Sequence, residues 1–198
     1  MIRDCFKKNL VIESPRLTLR PIEKNDVGDI LEVYSCNDLM RYYHRPPFTT
    51  IDEAKEHTEN LMRAQKEQSM IHWGLELRST GRLVGVCGFH SFSEESKKAQ
   101  IDFDATSKLK GYGLVREALL VILHFMFTST DINRIEIFVE SANTSAATLL
   151  SKLGFTKEGE MRQYALRRGS LTDMSLWALL REDWNAKQEA ESSGSVLD

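Results

Sequence analysis

Cysteine is scarce in this chain. Three occur among 198 residues, Cys5, Cys36 and Cys87, far apart and with no Cys-x-x-Cys pair or Cys/His cluster. That scarcity argues against a disulfide framework and against a zinc centre, so no metal is expected and a reducing compartment fits. Long apolar runs are also missing. The longest, Ala118 to Phe127, is interrupted by His124 and falls far short of the roughly 20 residues needed to cross a bilayer. Met1 to Lys8 carries charge and no apolar signal region. The expectation is a cytoplasmic protein that makes no membrane contact. Excess positive charge is lacking too. Lys and Arg number 26 against 29 Asp and Glu, a net charge of −3, and the basic residues are scattered. General nucleic-acid binding usually needs a basic face and is not expected. There is no internal repeat and no Pro/Gly/Ser linker. One domain over residues 1–187 is expected, followed by a polar, flexible tail at 188–198.

What is present is an alternation of strand-like and helix-like segments. Arg16 to Arg20 alternates apolar and polar residues, as a half-buried strand does, and Pro21 ends it. Asn25 and Asp26 can cap a first helix with Ile30, Leu31 and Tyr34 on one face. Thr50-Ile51-Asp52-Glu53 has capping-box spacing and should open a second helix reaching about Gln65. Ile71 to Leu77 and Leu83 to Phe89 read as a hairpin about Ser79-Thr80-Gly81, and Ala99 to Ala105 as the next strand. An apolar helix over Ala118 to Phe127 follows, then a strand over Arg134 to Glu140. A helix from about Ser145 to Leu153 stops at Gly154. Phe155 to Met161 and Leu171 to Leu180 close the series. Strands alternating with helices, then a terminal hairpin, predict one α/β domain with a mixed sheet.

The stretch richest in chemistry is Lys110-Gly111-Tyr112-Gly113-Leu114-Val115-Arg116-Glu117-Ala118. It sits between a strand and a helix. A glycine-containing turn there can aim several free backbone N–H groups at one anion, backed by the positive end of the helix dipole. A pyrophosphate is an anion of suitable size.

Gly111-Tyr112-Gly113 with Glu117-Ala118-Leu119, then Asn143, then Lys152-Leu153-Gly154-Phe155, resembles the GNAT acetyltransferases. The resemblance is to the branch that acetylates the N-termini of ribosomal proteins and small amines. Glu13-Ser14-Pro15-Arg16-Leu17-Thr18-Leu19-Arg20 and the segment Asp173 to Trp184 fit that branch, so the likeness spans about residues 10 to 185. It implies an α/β (α+β) single-domain GNAT fold. Such a fold has a mixed, mostly antiparallel twisted sheet of about seven strands, flanking helices and splayed central strands. It also implies acetyl-CoA as co-substrate and an amine acceptor, a peptide N-terminus or a small molecule, with a homodimer as a common form. The pyrophosphate cradle falls on Lys110, Gly111, Tyr112, Gly113, Leu114 and Val115. Lys110 stands where the family has Gln or Arg, and Val115 where it has Gly or Ala. The main chain of Phe103, Asp104 and Ala105 is expected to pair with the pantetheine as an added strand. A backbone N–H there is expected to stabilise the oxyanion, and Asn143 to hold pantetheine or to cap a helix.

Acetyl transfer to an amine requires a base for the ammonium, a donor for the oxyanion and an acid for the leaving thiolate. Asp102 and Asp104 share one strand face, and Glu136 and Glu140 share another. The plain alternative for each is a polar residue on the solvent side of its strand. His90 can titrate near neutrality but reads as a single loop histidine. The family's serine acid falls on Ala146. Ser145 lies one residue early, about 100° around the helix. Tyr164 is the other hydroxyl, with packing between the last strands as its alternative. The catalytic candidates are therefore Asp104, Glu140 and Tyr164. Trp73, Trp177 and Trp184 read as packing residues. Tyr42-Tyr43-His44-Arg45 forms an aromatic, basic cluster suited to an acidic acceptor, or is simply a structural loop. No cysteine has a nucleophile-like setting, so direct transfer without a covalent enzyme intermediate is expected. A non-catalytic coenzyme-A-binding module is the alternative.

Overall fold

A computed structural model describes residues 5–6, 11–106 and 113–194. Eight strands form one sheet in the order β1-β2-β3-β4-β5-β6-β8-β7. They are β1 (Ile12–Glu13), β2 (Leu17–Arg20), β3 (Ile71–Leu77), β4 (Arg82–Ser93), β5 (Lys98–Ala105), β6 (Arg134–Glu140), β7 (Thr156–Arg167) and β8 (Ser170–Leu180). The helices are α1 (Val27–Tyr34), α2 (Asn37–Met40), α3 (Ile51–Lys66), α4 (Leu114–Ser129), α5 (Thr144–Leu153) and α6 (Arg181–Gly194). The sheet has one strand more than expected, because β1 is two residues long and too short to show alternation.

Every neighbouring pair is antiparallel except β5 and β6. Those two pair only through Lys98↔Arg134, Ala99↔Ile135 and Gln100↔Glu136. Past Gln100 the strands part, so the main chain of Asp102 to Ala105 has no strand partner on the β6 side among the described residues. This is the expected splay.

Two apolar clusters cover the two faces of the sheet. The larger packs α4 and α5 on Trp73, Cys87, Phe89, Ile101, Ile135 and Ile137. The smaller packs α1, α2 and α3 on Val86 through Ile30, Tyr34, Met40, Phe48 and Ala54. Local sequence accounts for several element ends. Thr50 Oγ1 accepts from the Glu53 N–H while Glu53 reaches back to Thr50, a complete capping box at the start of α3. Gly154 ends α5 with φ of +100°, a left-handed conformation that glycine adopts without Cβ strain.

Several boundaries differ from the sequence reading. α4 begins at Leu114, a full turn before the apolar run, because its first turn is polar on the outside. β7 extends to Arg167, so Tyr164 lies in a strand and not in a loop. His90 likewise lies within β4. The polar segment from 188 is helical as far as Gly194, continuing a helix anchored by the buried Trp184.

The two ends of the resemblance meet physically. The Glu117 carboxylate in the first turn of α4 accepts from Ser14 Oγ at 2.7 Å and from the Arg16 N–H at 2.8 Å and Arg16 Nε at 2.7 Å. These bonds tie the start of α4 to the start of β2.

Candidate active site

Parallel register puts Gln100, Asp102 and Asp104 of β5 on the same face as Glu136, Phe138 and Glu140 of β6. That is the face carrying α1 and α3. At the mouth of the splay, Asp104 is half-buried and accepts a hydrogen bond from the Tyr34 hydroxyl at 2.8 Å. Tyr34 is buried at the end of α1, stacked on Phe48 at 5.2 Å and edge-on to Tyr43 at 5.7 Å and His57 at 4.6 Å. Burial pushes the Asp104 carboxyl up to about 7. The Tyr34 hydrogen bond opposes the rise and the neighbouring Asp102 charge adds to it. Burial and the Asp104 charge hold the Tyr34 and Tyr43 phenols above the ordinary tyrosine range.

The other carboxylates on this face have basic partners. Asp102 Oδ2 lies 2.7 Å from His90 Nε2, and that pairing raises the imidazole's affinity for its proton. Glu136 is buried between Arg134 and Lys98. Glu140 is buried and accepts from Arg168 Nη2 with both oxygens at 2.9 Å. Of the two carboxylates singled out from sequence, Asp104 alone has a neutral partner.

Two imidazoles lie nearby, both pushed down to about 4 by burial and so neutral near pH 7. They belong to His57 and His72, whose Nε2 and Nδ1 atoms, respectively, are buried without a hydrogen-bond partner among the described residues. Tyr164 is 59% exposed and stacks on Phe138 at 5.9 Å, with its ring nearly parallel. It stands on the β6 side of the gap that Asp104 faces from β5. Ser145 is exposed on the outside of α5. Cys87 is buried, and its thiol is pushed well above the usual range. It cannot present a thiolate at neutral pH.

On the opposite face, Gly113 is the N-cap of α4 with φ of +72° and no side-chain cap among the described residues. The first turn of α4 therefore presents backbone N–H groups to an anion. Leu114 is buried and Val115 packs against the larger core cluster, so these two can offer an anion only their main chain. Phe103 points into that same cluster. Lys110, Gly111 and Tyr112 lie outside the described residues. Asn143 caps α5, its Oδ1 accepting from the Ala146 N–H at 3.1 Å. The open edge of Phe103 to Ala105 and the uncapped start of α4 together suit an extended ligand ending in a pyrophosphate. Among the described residues no group of His, Cys, Asp and Glu could hold a metal ion, and no helix is long and apolar enough to cross a membrane.

Sequence reasoning missed Tyr34 and Arg168. Tyr34 read only as an apolar helix position, and Arg168 as one of many scattered basic residues. The side chains they contact lie 70 and 28 residues away in the chain, respectively.

Comparison with known proteins shows the family and the fold. The family model of the acetyltransferase (GNAT) domain matches residues 16–156. The uncharacterized N-acetyltransferase p20 of Bacillus licheniformis is 31% identical over 169 residues, covering 85% of this chain and 95% of that protein. The [ribosomal protein uS5]-alanine N-acetyltransferase of Escherichia coli is 26% identical, covering 87% of this chain and 92% of its own length. The crystal structure of a GNAT-family acetyltransferase from Bacillus anthracis superposes with a TM-score of 0.77 at 24% identity, over 87% of this chain and 99% of that one.

Proposed function

Because this chain belongs to the GNAT acetyltransferase family and depends on acetyl-CoA, we propose that it transfers acetyl directly to a primary amine, with Asp104 as general base. The observation that carries this reading is the Asp104 carboxyl. It stands where β5 and β6 part, is hydrogen-bonded by Tyr34, and is raised to about 7. A base is most effective when its pKa lies near the working pH. An ordinary aspartate near 4 would be fully ionised but too weak to take a proton from an ammonium.

The co-substrate supplies an acetyl group activated as a thioester. Backbone N–H groups at the start of α4 and the unpaired edge of Asp102 to Ala105 are the features suited to hold it. Asp104 takes one proton from the acceptor ammonium. The freed nitrogen forms the new C–N bond as the C–S bond breaks, a proton is delivered to the departing sulfur, and the second proton that the nitrogen then sheds restores the donor. Tyr164 is the hydroxyl favoured for that delivery. It flanks the gap on the β6 side and has no hydrogen-bond partner among the described residues, whereas Ser145 faces outward. Glu140, bound at both oxygens by Arg168, is assigned a positioning role. The buried, protonated Cys87 supports transfer without an acyl-enzyme.

The test is thiol release from acetyl-CoA with a panel of peptide N-termini, amino acids and polyamines. Asp104→Asn should lower kcat about 100-fold or more, the usual share of a general base, while leaving acetyl-CoA binding intact. Unchanged turnover in a folded Asp104→Asn enzyme refutes the assignment.

A further inference from the structure

The approach to Asp104 is lined with arginine. The segment after α2 and the tip of the β7–β8 hairpin meet there. Arg168 Nη1 donates to the Tyr43 carbonyl at 3.1 Å while its Nη2 holds Glu140. The Tyr43 ring lies 4.4 Å from His44 and 5.7 Å from Tyr34, the residue bonded to Asp104. The Arg45 guanidinium lies 4.0 Å from the centre of the Phe48 ring, which stacks on Tyr34. Arg41 lies 5.6 Å from the centre of the Tyr42 ring, next to Tyr43 in the chain, and Arg167 is close enough to His44 to act on its charge. Arg167 and Arg45 both act on His44, whose proton affinity they lower together with burial.

The arginines here are unevenly partnered. Arg168 is matched by Glu140, and Arg45 reaches Glu53 only at 3.8 Å. Arg41 and Arg167 have no carboxylate partner among the described residues. On the acidic side, Asp102 is engaged by His90. Two guanidinium groups are left over beside the aromatic cluster that contacts Tyr34, the partner of Asp104.

Resting on the N-acetyltransferase reading above, the geometry points to an acceptor that carries an anionic group, a carboxylate or phosphate, beside its primary amine. The planar fork of arginine matches those groups in two-point contact. With the anion held at the rim, the amine is directed down to Asp104. The same positive rim disfavours a second ammonium, which sets the site against polyamines. It also lowers the proton affinity of the bound amine, which eases the proton transfer to Asp104.

The experiment compares kcat/KM for glutamate and O-phosphoserine, for peptides that begin Ala-Glu and Ala-Lys, and for spermidine. Anionic acceptors are expected to exceed the Ala-Lys peptide and spermidine about tenfold or more. Turnover of the free amino acids alone, or of the acidic peptide alone, identifies the source of the anion, and both results support the proposal. Arg167→Gln and Arg41→Gln should each cost the anionic acceptors about fivefold, chiefly through KM, with Arg167→Lys recovering part. A preference for spermidine or the Ala-Lys peptide overturns the proposal. So does a loss that falls on the KM of acetyl-CoA, or variants that alter Tm while leaving acceptor preference unchanged. Absence of turnover with every amine overturns the acetyl-transfer reading and this proposal with it.

Discussion

Tyr34→Phe should move the alkaline switching-on of the enzyme upward by one to two pH units. The Tyr34 hydroxyl donates to Asp104 at 2.8 Å and so stabilises the ionised carboxylate. Removing a hydrogen bond to a charged group costs that state about 1.5–3 kcal/mol, which at about 1.4 kcal/mol per unit is about one to two units. The carboxyl starts at about 7, so the midpoint of the rising limb of kcat/KM should reach about 8–9. Asp102→Asn should act in the opposite sense, because it removes a like charge. Two residues along a strand are about 7 Å apart. At that distance two charges repel by about 0.6 kcal/mol in a water-like medium and about 2.4 kcal/mol at an effective dielectric constant of 20. Asp102 is 62% exposed and paired with His90, so the smaller figure applies and the limb should fall by about half a unit. The assay is thiol release measured from pH 5 to 10 with one acceptor at low concentration. A limb that stays put in both variants, or one that Tyr34→Phe lowers, refutes the assignment of Asp104 as the titrating base. Stability gives an independent check of sign. A carboxyl raised on folding holds its proton more tightly in the native state. The stability this gives is fully present below the unfolded value and is lost as pH rises toward 7. The stability advantage of the wild type over Asp104→Asn should therefore shrink between about pH 4 and 7, while the buried, neutral His57 and His72 make both proteins more stable over the same range.

Gly113→Trp should abolish acetyl-CoA binding by calorimetry, since the residue caps α4 at φ of +72°, where a side chain is strained, and a Cβ there would lie 3.7 Å from Arg16 Nη2; unchanged affinity in a folded variant argues against this cradle. Tyr164→Phe keeps the stack on Phe138 and removes only the hydroxyl, so a proton-delivery role predicts a kcat loss of about 100-fold, and an unaltered kcat identifies the ring as packing. Glu140→Gln should loosen Arg168 and raise acceptor KM without displacing the pH limb; a displaced limb makes Glu140 the base after all. Glu117→Ala breaks the link from α4 to Ser14 and Arg16 and should cost about 1–2 kcal/mol in urea unfolding.

What could be read from the chain was local. The capping box at Thr50–Glu53, the stop at Gly154 and the cap at Asn143 involve residues at most four apart, and each appears in the fold. The strand pattern of Arg134 to Glu140 likewise survives because one face is buried against α4 and α5. Elements of two to four residues, β1 and α2, carry no periodicity and went unread. The candidate site was half legible. Alternation placed Asp102 with Asp104 and Glu136 with Glu140, but it could not say which carboxylate keeps a neutral partner. That choice depends on Arg168, Lys98 and His90 arriving from other elements, beside Arg134 two residues from Glu136 on β6 itself. The rise at Asp104 is set by the cover that α1 lays over it, which no stretch of β5 encodes.

The position of the chemistry follows from the one parallel pair. An antiparallel neighbour joined by a tight hairpin is hydrogen-bonded along its length, as β4 is to β5 and β7 to β8. β5 and β6 are joined instead by a crossover containing α4, so nothing forces their far ends together. They hold over three residue pairs and then separate. Both α4 and α5 start at that separating end, so their N-terminal N–H groups collect on one side of the opening. Tyr34, Tyr43 and Asp104 collect on the other. An anionic carrier bound on the first side can reach an amine held on the second only through this opening. A base placed anywhere else on the sheet would face solvent or core. The same parting strands that leave main-chain groups unpaired therefore also fix where the proton must be taken.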